Sequence, residues 1–133
     1  MKNIRICGYE PGAIGRIVEL HANYYSKHSN FGLFFEAKVA TDVSEFLSRF
    51  DKTRDGFWIA KDRENIIGAV AINGVKADKE GAHLRWFIVD PKYHGKGIGD
   101  TLLRNAVDFC KKAKFKKVYL WTFSGLDAAR HLY

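Results

Sequence analysis

Residues 84 to 110 constrain this chain more than any other stretch. Leu84-Arg85-Trp86-Phe87-Ile88-Val89 is a run of strand formers, and Asp90-Pro91 stops it. Tyr93-His94-Gly95-Lys96-Gly97-Ile98-Gly99-Asp100 is a glycine-rich turn. From Ile98 the apolar residues Leu102, Leu103, Ala106, Val107 and Cys110 recur at helical spacings of three and four. The stretch therefore predicts a strand, a tight glycine loop and a helix.

That order has a chemical use. Glycine lets the backbone approach a ligand closely and take positive φ without a Cβ clash. The first turn of a helix carries N–H groups with no internal partner and a partial positive charge. Together these features suit an anion such as phosphate. A plain strand-to-helix connection needs one glycine, whereas Gly95, Gly97 and Gly99 occupy alternate positions. The spacing does not fit the dinucleotide fingerprint, and no Gly-Lys-Ser/Thr follows to make a P-loop.

A chain of 133 residues has the length of a single domain, residues 1–133. At 47% hydrophobic and 14% aromatic residues, it is expected to fold around a real core. No apolar run approaches the ~20 residues of a membrane span, and Met1-Lys2-Asn3-Ile4 does not open a secretory signal. Cys7 and Cys110 match no metal or redox spacing; reduced thiols, a cytoplasmic location and no metal are expected. The net charge of +7 favours anionic partners. The lysines from Lys111 to Lys117 read first as a solvated helix end, so nucleic-acid binding would rest on charge alone.

Ahead of the central stretch, Ile4 to Gly8 predicts a short strand, and Glu10-Pro11 opens a helix with Ile14, Ile17, Val18, Leu20, Tyr24 and Tyr25 on its apolar side. An aromatic link, Phe31 to Phe35, leads to a second helix over 35–50. Phe57 to Ala60 and Ile66 to Ile72 predict a hairpin turning at 62–65. After the central helix, Val118 to Thr122 predicts a strand parallel to the one at 84–89, joined by a right-handed crossover. A last helix is expected from Ser124 or Gly125 to Tyr133.

The order β-α-α-β-β-β-α-β-α, with the phosphate-type turn on the fourth strand, resembles the GNAT superfamily of N-acetyltransferases. Val89-Asp90-Pro91-Lys92-Tyr93-His94-Gly95-Lys96-Gly97-Ile98-Gly99 is similar to its acetyl-CoA signature, Arg/Gln-x-x-Gly-x-Gly/Ala. Ala129-Arg130-His131-Leu132-Tyr133 resembles the start of its Ala-x-x-Leu-Tyr segment. The N-terminal half, around Glu10-Pro11-Gly12-Ala13, most resembles the acetyltransferase modules fused to MarR-type regulators. Three positions depart from the pattern: His94 replaces Arg or Gln, Trp121 replaces a glutamate base, and Leu126 replaces an Asn.

The resemblance implies an α/β fold with a mixed, mostly antiparallel sheet and acetyl-CoA as co-substrate. It assigns the pantetheine arm and the acetyl carbonyl to the backbone of Phe87, Ile88 and Val89. It assigns the pyrophosphate to His94, Gly95, Lys96, Gly97, Ile98, Gly99 and Asp100, and the general acid to Tyr133. An amine acceptor is expected against Tyr25, Phe31, Phe35 and Arg85. By period-two alternation Arg85 should share a face with His83 and Phe87, and there favour a carboxylate. No general base is readable; His83 has a suitable intrinsic pKa but reads first as an ordinary strand-end histidine. The rival from another class is a catalytically silent acyl-CoA-binding regulatory module. Relatives continue beyond this tyrosine with two more strands, so a truncated chain of five strands is expected. The outer edge of the strand at 118–122 would then be open, or covered by another chain as in a homodimer.

Overall fold

The computed structural model describes residues 3–28, 30–121 and 127–131. β1 (Ile4–Cys7) leads through the turn at Pro11-Gly12 into α1 (Ala13–His28) and α2 (Leu33–Ser48). β2 (Gly56–Asp62), β3 (Asn65–Asn73) and β4 (Ala82–Val89) follow, then a 3-10 turn (Pro91–Tyr93), α3 (Ile98–Lys112), β5 (Lys117–Trp121) and β6 (Asp127–His131). The six strands lie in sequence order in one sheet. Every neighbouring pair is antiparallel except β4 and β5, which run parallel around α3.

The two faces of the sheet carry two cores. Ile17, Val18, Val39, Val43 and Phe46 of α1 and α2 pack on Phe57, Ile59, Ala69 and Ala71. On the opposite face Ile98, Leu102, Ala106 and Cys110 of α3 pack on Ala60, Val70, Ile72, Leu84 and Val118. The helical spacing of these residues gives each helix one buried stripe. Full burial of such a side chain contributes roughly 1.5–3 kcal/mol, so the stripes fix which way each helix faces. Apolar residues on both faces explain why β3 reads as an almost unbroken hydrophobic run.

β4 is irregular where the chemistry is expected. Ala71 pairs with Arg85 and Ala69 with Ile88, so one extra residue is inserted in β4. Trp86 takes φ of 50° at this bulge. Arg85 and Trp86 both turn toward α2: Arg85 reaches Asp42 at 3.5 Å, and Trp86 packs on Phe46. Phe87 turns to the other face and lies against Gly99 of α3. The alternation expected of Arg85 and Phe87 is therefore broken, because a bulge shifts the pleat by one residue.

The end of the chain also departs from expectation. Residues 127–131 are a strand, antiparallel to β5 from Lys117–His131 to Trp121–Asp127, not part of a helix. The outer edge of β5 is covered by this same chain. Ala128, Ala129 and Arg130 favour helix locally, but a helix this short is marginal alone, and the edge of β5 offers a complete ladder instead. No helix among the described residues is long and apolar enough to cross a membrane.

Candidate active site

The loop after β4 is built almost wholly from backbone hydrogen bonds. Asp90 donates its N–H to the Ile67 carbonyl at 2.7 Å, and its Oδ1 accepts from Lys92 N–H at 3.0 Å, capping the 3-10 turn. Tyr93 N–H returns to the Asp90 carbonyl at 2.8 Å and His94 N–H to Pro91 at 3.2 Å. The His94 ring donates from Nε2 to the Val89 carbonyl at 2.9 Å, folding the loop back on the strand. Gly95 and Gly97 have φ of 78° and 81°, which side chains resist. Thr101 is the first residue of α3 whose N–H finds a helical acceptor, Gly97 at 3.1 Å. The N–H groups of Ile98, Gly99 and Asp100 belong to the open first turn.

These groups form one wall of a cavity of about 450 Å³. Phe87, Ile88, Val89, His94, Gly95, Gly97, Ile98, Gly99 and Asp100 all line it, and Tyr93 joins them. Lys96 is exposed beside the loop and is not in the lining. A Cβ at Gly95 or Gly97 would meet nothing within 4 Å, so bare backbone faces open space. Gly99 has another use: a Cβ there would come within 3.2 Å of the Phe87 ring, so its absence lets α3 approach β4. Among the described residues β5 pairs with β4 only at Ala82–Val118 and His83–Tyr119. Beyond that point no described residue pairs with the β5-facing edge of β4, which leads toward Val89.

The opposite wall comes from α1, through Tyr24 and Tyr25. Tyr25 packs edge-on against Phe35 at 5.4 Å, and Phe31 lies 5.0 Å from Phe35. Below them His21 is buried and donates from Nδ1 to the Ile17 carbonyl at 2.8 Å. Burial pushes its pKa down, and burial pushes the Tyr25 phenol up. Three residues expected at the acceptor thus come together: Tyr25 on α1, Phe35 on α2 and Phe31 in the link between them. Phe34 points away and is 88% exposed.

Arg85 stands apart from that aromatic group. Its guanidinium lies over the Trp86 ring, 4.3 Å from the centroid, and is held by Asp42 of α2. Burial pulls its pKa down, partly offset by the Asp42 charge. Next to it His83 is buried and stacks on Tyr119. Burial, then the charge of Arg85, lowers His83 to about 4. The imidazole is therefore neutral at pH 7 and a weak base. Tyr133 lies outside the described residues, as do Leu126 and the side chain of Trp121. Among the described residues no group of three or more His, Cys, Asp or Glu is placed to hold a metal.

Sequence reasoning overlooked two side-chain ties that shape the loop. Tyr93 donates its hydroxyl to Asp62 at 2.6 Å, tying the 3-10 turn to the β2–β3 hairpin. Asp90 and Arg16 form an ion pair at 3.1 Å between the end of β4 and α1. Asp90-Pro91 marked the end of the strand, but the partner on α1 had no local signal.

The fold and the loop set a bulged strand beside the open first turn of α3, an arrangement whose free N–H groups suit an anion. The chain belongs to the acetyltransferase (GNAT) family, whose model matches residues 16–133. It is 30% identical to the N-acetylaspartate synthetase of Xenopus tropicalis over 115 residues, 86% of this chain and 42% of that protein. The chain thus spans about two-fifths of the curated relative. An acetyltransferase structure from Streptococcus agalactiae superposes with a TM-score of 0.72 at 23% identity, over 92% of this chain and 74% of that one. Spermidine N-acetyltransferase of Vibrio cholerae, solved with CoA and spermine, gives 0.59 at 21% identity, over 90% and 71%. At these identities the two structures establish the fold.

Proposed function

We propose that this chain transfers the acetyl group of acetyl-CoA to a primary amine of a small molecule or peptide, by direct transfer within a ternary complex. One observation carries the reading: bare backbone at Gly95 and Gly97 and the open first turn of α3 face a cavity closed on its other side by Tyr24 and Tyr25. Such a cradle suits a pyrophosphate. The unpaired edge of β4 after the bulge suits the amide groups of a pantetheine arm, which can hydrogen-bond like an added strand. Acetyl-CoA supplies the activated acyl group. The chain supplies backbone groups of Phe87, Ile88 and Val89 for the pantetheine arm and the carbonyl, where N–H donors are the usual means of stabilising developing negative charge.

Tyr133 is assigned the proton for the departing thiolate, on family resemblance. His83 is held neutral, so the amine is taken to arrive neutral or to lose its proton to water. The acceptor rests against Tyr25, Phe31 and Phe35. We assign Arg85 to a carboxylate on it, because its planar fork is already fixed by Asp42 and Trp86. The name of the N-acetylaspartate synthetase relative points the same way. The spermine in the Vibrio cholerae structure points to a cationic acceptor instead. The reading includes a cytoplasmic location, in keeping with the free cysteines Cys7 and Cys110.

The test is thiol release from acetyl-CoA with acidic amino acids, other amino acids, polyamines and peptides. Amine-dependent release with one class is expected, strongest for acceptors bearing a carboxylate. CoA binding with no release across the panel would favour a silent acyl-CoA-binding module.

A further inference from the structure

Among the described residues, α1 reaches the cavity through Tyr24 and Tyr25. Eight residues earlier, about 12 Å along the helix at 1.5 Å per residue, Arg16 is fixed at three points. Its Nε donates to the Ile66 carbonyl at 2.8 Å, Nη1 to Glu19 at 2.7 Å and Nη2 to Asp90 at 3.1 Å. Asp90 is equally engaged. Its N–H goes to Ile67, its carbonyl accepts from Tyr93, Oδ1 accepts from Lys92 and Oδ2 from Arg16. The pair is partly shielded, with side chains 29% and 14% exposed. Arg16 does not line the cofactor cavity; it faces a separate polar cleft with Glu19, Glu64 and Lys92.

The Arg16–Asp90 pair thus joins the helix that carries one wall of the cavity to the turn that begins the other. Burial of Ala13, Ile17, Val18 and Leu20 already docks α1 on the sheet. Apolar packing is non-directional and tolerates small slides, whereas a guanidinium bound at three acceptors fixes position and angle. We infer that Arg16 is a positioning residue for the cofactor: through Asp90 it sets the separation between the α1 wall and the glycine loop, and so the affinity for CoA, without touching the ligand. The inference rests on the acetyl-CoA reading of the cavity.

The test compares wild type with Arg16→Met, Arg16→Lys, Asp90→Asn and the Arg16→Met/Asp90→Asn double variant. CoA affinity by calorimetry, both KM values, kcat and the ligand-free melting temperature are measured. Arg16→Met should weaken CoA binding about tenfold, the worth of one charge-assisted bond. It should raise KM for acetyl-CoA in step, while kcat at saturation and the acceptor KM stay within about twofold. Arg16→Lys should recover part of the loss, because it keeps the charge but not the three-point fork. The double variant should bind CoA no worse than the weaker single variant, since both remove one interaction. Wild-type CoA affinity in Arg16→Met, or losses that simply add in the double variant, would overturn the inference. If Arg16→Met does not fold, Arg16→Lys and Asp90→Asn decide: weakened CoA binding upholds it and unchanged binding sinks it. Wild-type protein that binds no CoA at all would overturn the cofactor reading itself, and this inference with it.

Discussion

The imidazole of His83 lies flat on the ring of Tyr119, 4.5 Å between centroids and 8° between planes, at the last paired position of β4 and β5. The stack closes the apex of the wedge between the two strands. It also buries a histidine beside Arg85, which is why His83 titrates near 4 instead of near 6.5.

Stability should therefore fall as the solution is acidified. The unfolded chain takes up a proton at His83 near its ordinary value, while the folded chain resists until about 4. The contribution is intact above pH 6.5 and declines from there toward pH 4. Urea unfolding across that range should show a shallower decline for His83→Gln than for wild type. Some decline persists in the variant, because burial depresses His21 in the same direction. Identical slopes for the two proteins would mean that His83 is solvated.

CoA should raise the melting temperature, since it binds the folded form. Gly97→Glu should abolish that rise by placing bulk and negative charge at the open N–H groups of α3. Gly97→Ala should cost about 1–2 kcal/mol of stability through its φ of 81°. Gly99→Ala acts differently, because its new methyl presses on Phe87 at 3.2 Å. A full thermal shift in Gly97→Glu would place the cofactor elsewhere.

Arg85→Met should raise the KM for acceptors carrying a carboxylate by about tenfold and leave CoA affinity unchanged. Side-by-side kinetics with an acidic amino acid and with its amide would read this directly. An equal loss for both acceptors would assign Arg85 to the fold.

Tyr133→Phe should lower kcat and leave CoA affinity as it was, if the phenol protonates the thiolate. A rise in KM with kcat intact would make Tyr133 a binding residue.

Asp55 is a structural prediction. Its buried carboxylate accepts from Gly74 N–H at 2.9 Å and Asp51 N–H at 3.1 Å, with Arg49 and Arg54 at 3.8 and 3.6 Å. Asp55→Ala strips two N–H groups and two cations of one partner, and should cost about 3 kcal/mol in denaturant unfolding. A loss below half of that would show that water replaces the carboxylate.

The sequence was most legible where one physical rule governed a whole segment. Strand formers up to Val89, the stop at Asp90-Pro91 and the helical spacing from Ile98 located β4, the loop and α3 almost to the residue. α2 begins at Leu33, two residues before its expected start, with Gly32 at the N-cap position. Failures came where distant pairing outweighed a local signal. Residues 127–131 have helical composition, yet the open edge of β5 draws them into a ladder. Period-two alternation misplaced Arg85 because no glycine marks the bulge; Trp86 itself takes the positive φ. The ties from Arg16 to Asp90 and from Tyr93 to Asp62 join residues far apart in the chain, so no local pattern announces them.

The two walls of the cavity have a further meaning for how the chain assembles. Tyr24 and Tyr25 leave the ribosome early, whereas Phe87 to Asp100 follow only after α2, β2 and β3 have been made. On the proposed reading, CoA would meet only half of its binding surface until β4 and the start of α3 have been made. Closing a loop that long is entropically slow, and until it closes the apolar stripes of α1 and α2 have no sheet to cover them. A cofactor bound in the proposed cavity would therefore act as a latch on a finished structure, holding it against unfolding without entering its early steps.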